Sequence, residues 1–418
     1  MSTPRRPRTR VAHHHYDVYG NPDGLRTAER CARTRRIHTN LTVRALFWTS
    51  AFLAVYPYLV YPSLLAVLRR VMPRPPRKAP IEPTVSVLVA AFNEEVVIAD
   101  KIENSLALDY AADRIEIVVA SDGSRDGTNT IAARYADGKR VRLVAFPVNR
   151  GKLATVNEVI PQLNGEIVVF SDAASMLTPE SIRVLVSNFA DPDVGAVSGA
   201  YLVRNPARAA LGPQEDFYWR FETSLKAAEA DLSSTLGAHG ALYAIRRQLY
   251  PFPERGVIND DFVIPLRIVA RGYRAVYEPG AVAVEEAHEM EGFRRRVRIA
   301  NGNIQQLGEL PHLLMPPRIL PAFFFVSHKA MRLLVPPAML ACLIANVFLL
   351  GSPVYDALFI AQLAFYALAL SGAVFALRPR LLRLPYYFSM VNAAFIVALV
   401  ERVVLRRPVT WSDKAKPS

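Results

Sequence analysis

Cysteine is almost absent from this chain. Two residues in 418, Cys31 and Cys342, leave no room for a disulfide framework or a thiolate zinc site, and they suit a soluble portion that faces a reducing compartment. A glycine-rich phosphate turn is missing too. The first strand–helix junction reads AAFNEE, and no Walker lysine motif occurs, which excludes dinucleotide-dependent oxidoreductases and P-loop NTPases. The first apolar run starts too late and runs too long for a cleavable signal peptide. Charge is missing from four whole stretches: residues 45–68, 333–355, 357–377 and 384–400 hold no Asp, Glu, Lys or Arg. A spanning helix needs about 20 apolar residues, so the first three runs read as membrane helices and the fourth as a marginal one. Core helices rarely go uncharged for so long.

What is present fits a soluble domain joined to membrane segments: 51% hydrophobic residues beside 21% charged ones, and a mean hydropathy of +0.15. The net charge of +13 is uneven. Within residues 1–44, ten Arg face only Asp17, Asp23 and Glu29, so this part reads as a basic disordered tail suited to anionic lipid headgroups. His13, His14 and His15 read as a solvated run rather than a metal site. Without interleaved aromatics or a recognisable module, the tail gives no reason to expect a nucleic-acid partner. Residues 69–83 form a basic, proline-rich linker, residues 316–332 an aromatic and basic interfacial segment, residues 333–405 about three membrane helices, and residues 406–418 a tail.

Charge also argues topology. Arg69, Arg70, Arg318, Lys329 and Arg332 flank the soluble domain, and Arg378, Arg380 and Arg383 sit between the last two apolar runs. The positive-inside rule then puts the domain in the cytoplasm, on a multi-pass protein of the cell (inner) membrane. The charges of the two termini run against this if the first and fourth runs both span.

Between residues 84 and about 199 the pattern is regular. VSVLVAAF, RIEIVVASD, VRLVAF, GEIVVFSD and VGAVSGAYLV alternate with helix-like segments. Short β-rich runs buried on both faces and separated by helices predict an α/β fold with a mostly parallel sheet and helical crossovers. From about residue 213 to 315 the alternation breaks down and Gly, His, Asp and Arg accumulate, as functional regions often do. Four acidic sites stand at expected strand ends or in this irregular part: Asn93-Glu94-Glu95, Asp122 in ASDGSRDGT, Asp172 in FSDAAS, and Asp260-Asp261 in VINDDF. Singly, such acids are often helix N-caps, the role expected of Asp126 and Glu95.

In this order, with NRGK at 149–152, GAHGALYAIRR at 237–247 and GFRRRVRIANGN at 292–303, they resemble the family 2 glycosyltransferases. The likeness runs over roughly residues 84–332. Together with the membrane arrangement, it is similar to polysaccharide-assembling members, the cellulose, hyaluronan and poly-N-acetylglucosamine synthases. It implies a GT-A nucleotide-diphospho-sugar transferase domain over residues 84–315, with α-helical transmembrane segments around it. It also implies that Ala91, Asn93 and Glu94 line the nucleoside site, that Asp122 bonds the base, and that Lys152 supports the nucleotide. Asp172 stands where the first acid of the family's Asp-x-Asp metal motif would be, with Ala174 in place of the second. It is expected to hold Mg2+ or Mn2+, with diphosphate oxygens and water completing the shell, or the donor ribose.

By the same resemblance Asp261 is the general base, with Asp260 supporting it, and Arg298, with Arg295 nearby, meets the diphosphate. The polymerising relatives' Gln-x-x-Arg-Trp motif keeps only its Arg here. His239 and Trp219 are the acceptor-side candidates, with an inward-packed aromatic helix face as the competing reading of Trp219. His288 reads as an ordinary polar residue rather than a metal ligand. The implied partners are a nucleotide-sugar donor, a glycan or lipid-linked acceptor, membrane lipids and an export partner or second copy. The implied activity is inverting transfer from that donor, with a UDP-sugar expected. A processive polysaccharide synthase and a non-catalytic sugar-nucleotide-binding scaffold are the alternatives.

Overall fold

The computed structural model describes residues 40–204, 212–254, 256–286, 292–314, 319–374 and 380–405. Most of the basic tail, residues 406–418 and His288 lie outside them. An eight-stranded sheet runs in the order β3-β2-β1-β4-β7-β6-β8-β5. Its first four strands are β1 (Val85–Ala91), β2 (Ile115–Asp122), β3 (Val141–Phe146) and β4 (Ile167–Phe170). These pair in parallel, and they coincide with four of the five apolar runs. Residues alternate between the two faces, as the strand period requires. Val85, Val87 and Val89 point to one core with Ile115, Ile117 and Val119, while Leu88, Val118, Val168 and Phe170 point to the other. Helices cover both faces, which is why these strands carry no polar face.

β5 is the short Met176–Leu177, and the fifth run becomes β6 (Val194–Arg204). The irregular part proves ordered. It holds the helix Gly212–Leu232, β7 (Tyr243–Arg246), the helix Asp260–Ala270, β8 (Arg274–Glu286) and the helix Gly292–Gln306. β7 lies antiparallel between β4 and β6, and β8 runs parallel to β6 with a break in register at Gly199/Ala200. Because β2 and β4 flank β1 on opposite sides, the order switches at β1/β4. The crevice beyond the carboxyl ends of such strands is the usual ligand position.

Four helices are long and apolar enough to cross a membrane: Asn40–Val71, Ile319–Val347, Pro353–Val374 and Leu384–Arg402. The second begins at Ile319, so most of the expected interfacial segment is the start of this helix. The share of each apolar stretch that packs inside the protein ranges from 6% for Pro353–Val374 to 39% for Ile319–Val347. The first and second carry π-helical turns, Tyr56–Val60 and Phe325–Ala330, which meet through a Tyr56–Ser327 hydroxyl bond of 2.9 Å. Tyr61 and Leu65 of the first helix, with Phe324 and Phe325 of the second, belong to the same buried cluster as β1, β2 and β4. The linker after Val71 is extended and tied to the domain, with the Arg77 amide donating to Asp191 at 3.1 Å and Arg274 donating to the Arg74 carbonyl.

Candidate active site

The carboxyl ends of β1 and β2 form one corner. Asn93 adopts a left-handed backbone, φ 55°, a conformation that Asn tolerates better than most residues. Its carboxamide accepts the Arg125 amide at 2.9 Å, and its own amide donates to Ser124 at 3.1 Å. The Glu94 amide donates to the Thr128 hydroxyl at 2.8 Å, and the Gly127 amide to Glu95 at 2.7 Å. Asp126 accepts the Thr128 amide at 3.0 Å, but the helices Thr128–Tyr135 and Ile98–Leu106 have Gly127 and Val97 as N-caps, so neither Asp126 nor Glu95 takes the capping position expected of it. Ala91 closes β1 and is buried.

Asp122, buried at the end of β2, grips the NRGK turn. Its carboxylate accepts the amides of Arg150 and Gly151 and the Thr155 hydroxyl, each at 2.8 Å. The next residue, Gly123, has φ +69°, and a Cβ there would stand 2.3 Å from the Asn149 nitrogen. Only glycine lets the two turns come so close.

Gripping this turn aims Lys152 at the next strand end. Its ammonium lies 3.0 Å from Asp172 Oδ1 and 3.5 Å from Asp260 Oδ2. Burial opposes the charge on Lys152, but Asp172 and Asp260 outweigh burial and raise its pKa. Asp172 follows β4 by two residues. Loss of bulk solvent pushes its pKa up, yet Lys152 first, then His239 and Lys101, bring it below the ordinary value. Lys101 was not singled out in the sequence. It is fully buried in the helix Ile98–Leu106, donates to Ser171 Oγ at 2.7 Å and to the Ser175 carbonyl, and so anchors the loop carrying Asp172. Burial pulls its pKa down to about 7, with Asp172 acting in the opposite direction.

Asp172 and Asp261 face each other across Gly240. A Cβ on Gly240 would lie 3.2 Å from Asp172 Oδ2 and 3.5 Å from Asp261 Oδ2, so one oxygen of each carboxylate comes close to the same glycine. The Gly240 amide donates to Asp261 Oδ2 at 3.1 Å. Asp261 starts the helix Asp260–Ala270; burial and its neighbour Asp260 push its pKa up to about 6 against the pull of Lys152 and Lys226. Adjacent His239 stacks on Tyr201 with ring centroids 4.2 Å apart. Its Nδ1 accepts the Ala241 amide at 3.3 Å.

Asp172, His239 and Asp261 line a cavity of about 290 Å³ whose far wall comes from membrane-length helices, including Tyr58, Val391 and Phe395. Asp260 is not among its lining residues and turns instead to Lys152. The helix Gly292–Gln306 contributes Arg296, Ile299, Ala300 and Asn303 to the wall. That spacing marks one helical face, and Arg298 stands off it. The arginine that this helix turns to the cavity is therefore Arg296, while Arg332 lines it from the helix Ile319–Val347. The side chains of Arg295 and Trp219 lie outside the described residues. Ala91, Asn93, Glu94 and Asp122 gather at the neighbouring corner rather than in the cavity wall.

The sequence reading also missed a buried charge cluster in the cavity wall, where Glu222, Lys226, Lys329 and Arg332 line it. On the helix Gly212–Leu232, Glu222 pairs with His328 at 3.2 Å, Lys329 at 3.5 Å and Arg332. Glu229 accepts from Tyr61 at 2.7 Å and lies 2.7 Å from His328 Nδ1. Lys226 donates to the Ala238 carbonyl at 3.0 Å. The spacing Glu222–Lys226–Glu229 along one face was the available signal, but the side-chain partners of Glu222 and Glu229 are far away in the chain. Burial raises the Glu222 pKa, yet Arg332, Lys329 and His328 hold it well below the usual carboxylate range. Its stabilising effect is therefore complete at neutral pH and is lost only as pH falls through that depressed value. Glu222→Ala should lower stability by about 3 kcal/mol, because removing one partner strands the others. Chemical unfolding in detergent checks this, and an unchanged midpoint would remove the cluster from the account of stability.

Comparison with known proteins gives a consistent result. The profile of the glycosyltransferase like family 2 matches residues 83–301, more than half of the chain. Poly-beta-1,6-N-acetyl-D-glucosamine synthase of Staphylococcus aureus is 27% identical over 229 residues, 53% of this chain and 55% of that protein. An N-acetylglucosaminyltransferase of Rhizobium leguminosarum bv. viciae is 28% identical over 243 residues, 53% of this chain and 56% of that protein. The chain thus spans about half the length of the curated relatives it matches. Among solved structures, a mannosyltransferase from Pyrobaculum calidifontis in complex with GDP-Man and Mn2+ superposes with a TM-score of 0.68 at 27% identity, covering 87% of this chain and all of that one. The sheet has the GT-A architecture expected, and the chain belongs to glycosyltransferase family 2.

Proposed function

We propose that this protein is a membrane-embedded, inverting glycosyltransferase. It moves a sugar from a nucleotide-diphospho-sugar, a UDP-sugar by preference, to a hydroxyl of a glycan or lipid-linked acceptor at the cytoplasmic face. The observation that carries the reading is the convergence of Asp172 and Asp261 on Gly240 inside one cavity. One carboxylate is paired with an ammonium and suited to the donor side. The other has a raised pKa and is suited to taking a proton.

In this mechanism the nucleoside occupies the corner made by Ala91, Asn93, Glu94 and Asp122, and its diphosphate extends toward Asp172 and Lys152. Asp261 accepts the proton of the acceptor hydroxyl as its oxygen attacks the anomeric carbon. The new glycosidic bond forms while the bond to the diphosphate breaks, and a single displacement inverts the centre. Asp260 keeps Lys152 in place. Arg298, whose side chain stands off the cavity-facing side of its helix, serves the diphosphate only from outside that wall, whereas Arg296 faces the cavity. Positive charge held ready for the leaving group accounts for much of the rate enhancement in reactions of this type.

A divalent cation fits this site in one way. Asp172 Oδ1 is engaged by Lys152, while Oδ2 faces the cavity. No cluster of three or more His, Cys, Asp or Glu suited to a metal occurs among the described residues, so Asp172 would hold the ion with donor oxygens and water, as Mg2+ readily accepts. When bound, the ion would neutralise charge developing on the diphosphate. The Mn2+ bound in the Pyrobaculum enzyme supports a cation in general.

Purified full-length protein should consume one donor from a panel of UDP-, GDP- and dTDP-sugars, with Mg2+ or Mn2+ required and chelator inhibiting. No consumption of any donor, with membrane lipid extract supplied as acceptor, would overturn the proposal in favour of a donor-binding scaffold. Product length tests the processive alternative, which predicts long chains without short intermediates.

A further inference from the structure

A second cavity adjoins the catalytic one. It measures about 570 Å³ and is walled by Ala54, Tyr58, Phe221, Phe365, Phe388 and Val391 among others, almost all apolar. Three of its walls come from the membrane-length helices Asn40–Val71, Pro353–Val374 and Leu384–Arg402. Tyr58 and Val391 line both cavities, so an apolar space between membrane-length helices shares a wall with the space holding Asp261. The volume lies in the range of a single bound small molecule.

The junction changes character sharply. On the apolar side, Tyr58 packs edge-on to Phe388 at 5.2 Å. On the polar side, Arg332 lies over the rings of Tyr58 and Phe221, at 5.4 and 5.8 Å. Arg296 of the catalytic cavity reaches Tyr387 of the apolar one. It donates to the Tyr387 hydroxyl at 3.1 Å and sits 4.6 Å from its ring centroid. The Arg296 Nε is buried without a hydrogen-bond partner among the described residues. The Arg296 cation, on a cavity-lining residue beside an apolar pocket, is the complement of an anionic group attached to a hydrocarbon chain.

We propose, resting on the transfer reading above, that the acceptor is carried on a single-chain lipid phosphate. Its hydrocarbon chain lies in the cavity at Tyr58 and Phe388, its phosphate meets Arg296, and its headgroup hydroxyl is thereby delivered to Asp261. The apolar cavity supplies affinity by burial, and Arg296 selects the anionic headgroup.

The test uses full-length protein in phosphatidylcholine nanodiscs and a farnesyl phosphate probe carrying a photoreactive diazirine in its chain. Label is expected on peptides containing Tyr58, Phe221, Phe388 and Val391. Unlabelled farnesyl phosphate should displace it, with farnesol at least tenfold weaker and inorganic phosphate without effect. Ala54→Trp, which fills the cavity, should cut labelling at least tenfold. Leu370→Trp, on an exposed face lining neither cavity, should leave it unchanged. Arg296→Gln should erase the preference for farnesyl phosphate over farnesol.

Label spread over the membrane face regardless of Ala54→Trp, or displaced equally well by phosphatidylglycerol, would overturn the proposal. Labelling needs no turnover, which separates the two readings. Protein that labels in the cavity but consumes no donor refutes transfer and keeps the lipid site. Protein that consumes donor but labels indiscriminately does the reverse.

Discussion

Replacing Asp261 with Asn is expected to slow sugar transfer by about 10²–10⁴-fold, the usual worth of a positioned base, while donor binding persists. The pH dependence sharpens this. Burial and Asp260 raise the Asp261 pKa to about 6, so the parent enzyme should lose activity as pH falls through about 6, well above the ordinary carboxylate range, and reach a plateau above it. The residual activity of the Asn variant should be flat across that window. Stability moves the other way. A carboxylate with a raised native pKa makes the folded state less stable as pH rises from the unfolded value toward the native one. Asn removes that penalty, so the variant should unfold no more easily than the parent. A variant that is stable, binds donor and still transfers at the parental rate would relocate the base.

Asp172→Asn is expected to cost roughly 10²-fold or more, because a cation and its carboxylate supply several kcal/mol of charge stabilisation at a leaving group. The informative readout is donor binding titrated with and without Mg2+ or Mn2+. The parent and Asp261→Asn should both bind donor more tightly with the ion, whereas Asp172→Asn should bind equally with or without it. Lys152 then keeps only Asp260, at 3.5 Å, and should lose some of its upward pKa shift. Cation-dependent binding that survives in Asp172→Asn would assign the metal elsewhere.

The parts of the fold legible in the sequence were those whose signal is local. β1 to β4 read as strands because each is a short, mostly apolar run, with β1, β2 and β4 buried on both faces and β3 only partly buried. β8 did not, because Glu278-Pro279-Gly280 interrupts it and mimics a turn. In the structure Glu278 is buried instead, held by Lys78 at 2.6 Å and Asn188 at 2.8 Å, and a break in the β6/β8 register sits beside the interruption. The same distinction governs the site. Asp122, Asp172 and Asp261 stand in recognisable motifs at strand or helix ends, so resemblance was enough to nominate them. Which arginine faces the cavity depends on how the helix Gly292–Gln306 is rotated. Its Val297 and Ala300 pack against Ala394 and Ala398 of the last membrane helix, a contact that no local pattern encodes. Lys101 and Glu222 were invisible for the same reason: their partners are distant in the chain.

Tyr61 and Leu65 belong to a membrane-length helix and also to the core beneath the sheet. A helix that shares a close-packed interior cannot slide or pivot relative to it without opening voids. In the proposed membrane-embedded enzyme the carboxylate site is therefore held at one height relative to the bilayer, and the protein acts as a ruler. Acceptors whose reactive hydroxyl stands at that height are in register. Those on longer stalks overshoot, so lengthening the spacer between lipid and sugar should abolish transfer even when the sugar itself is unchanged.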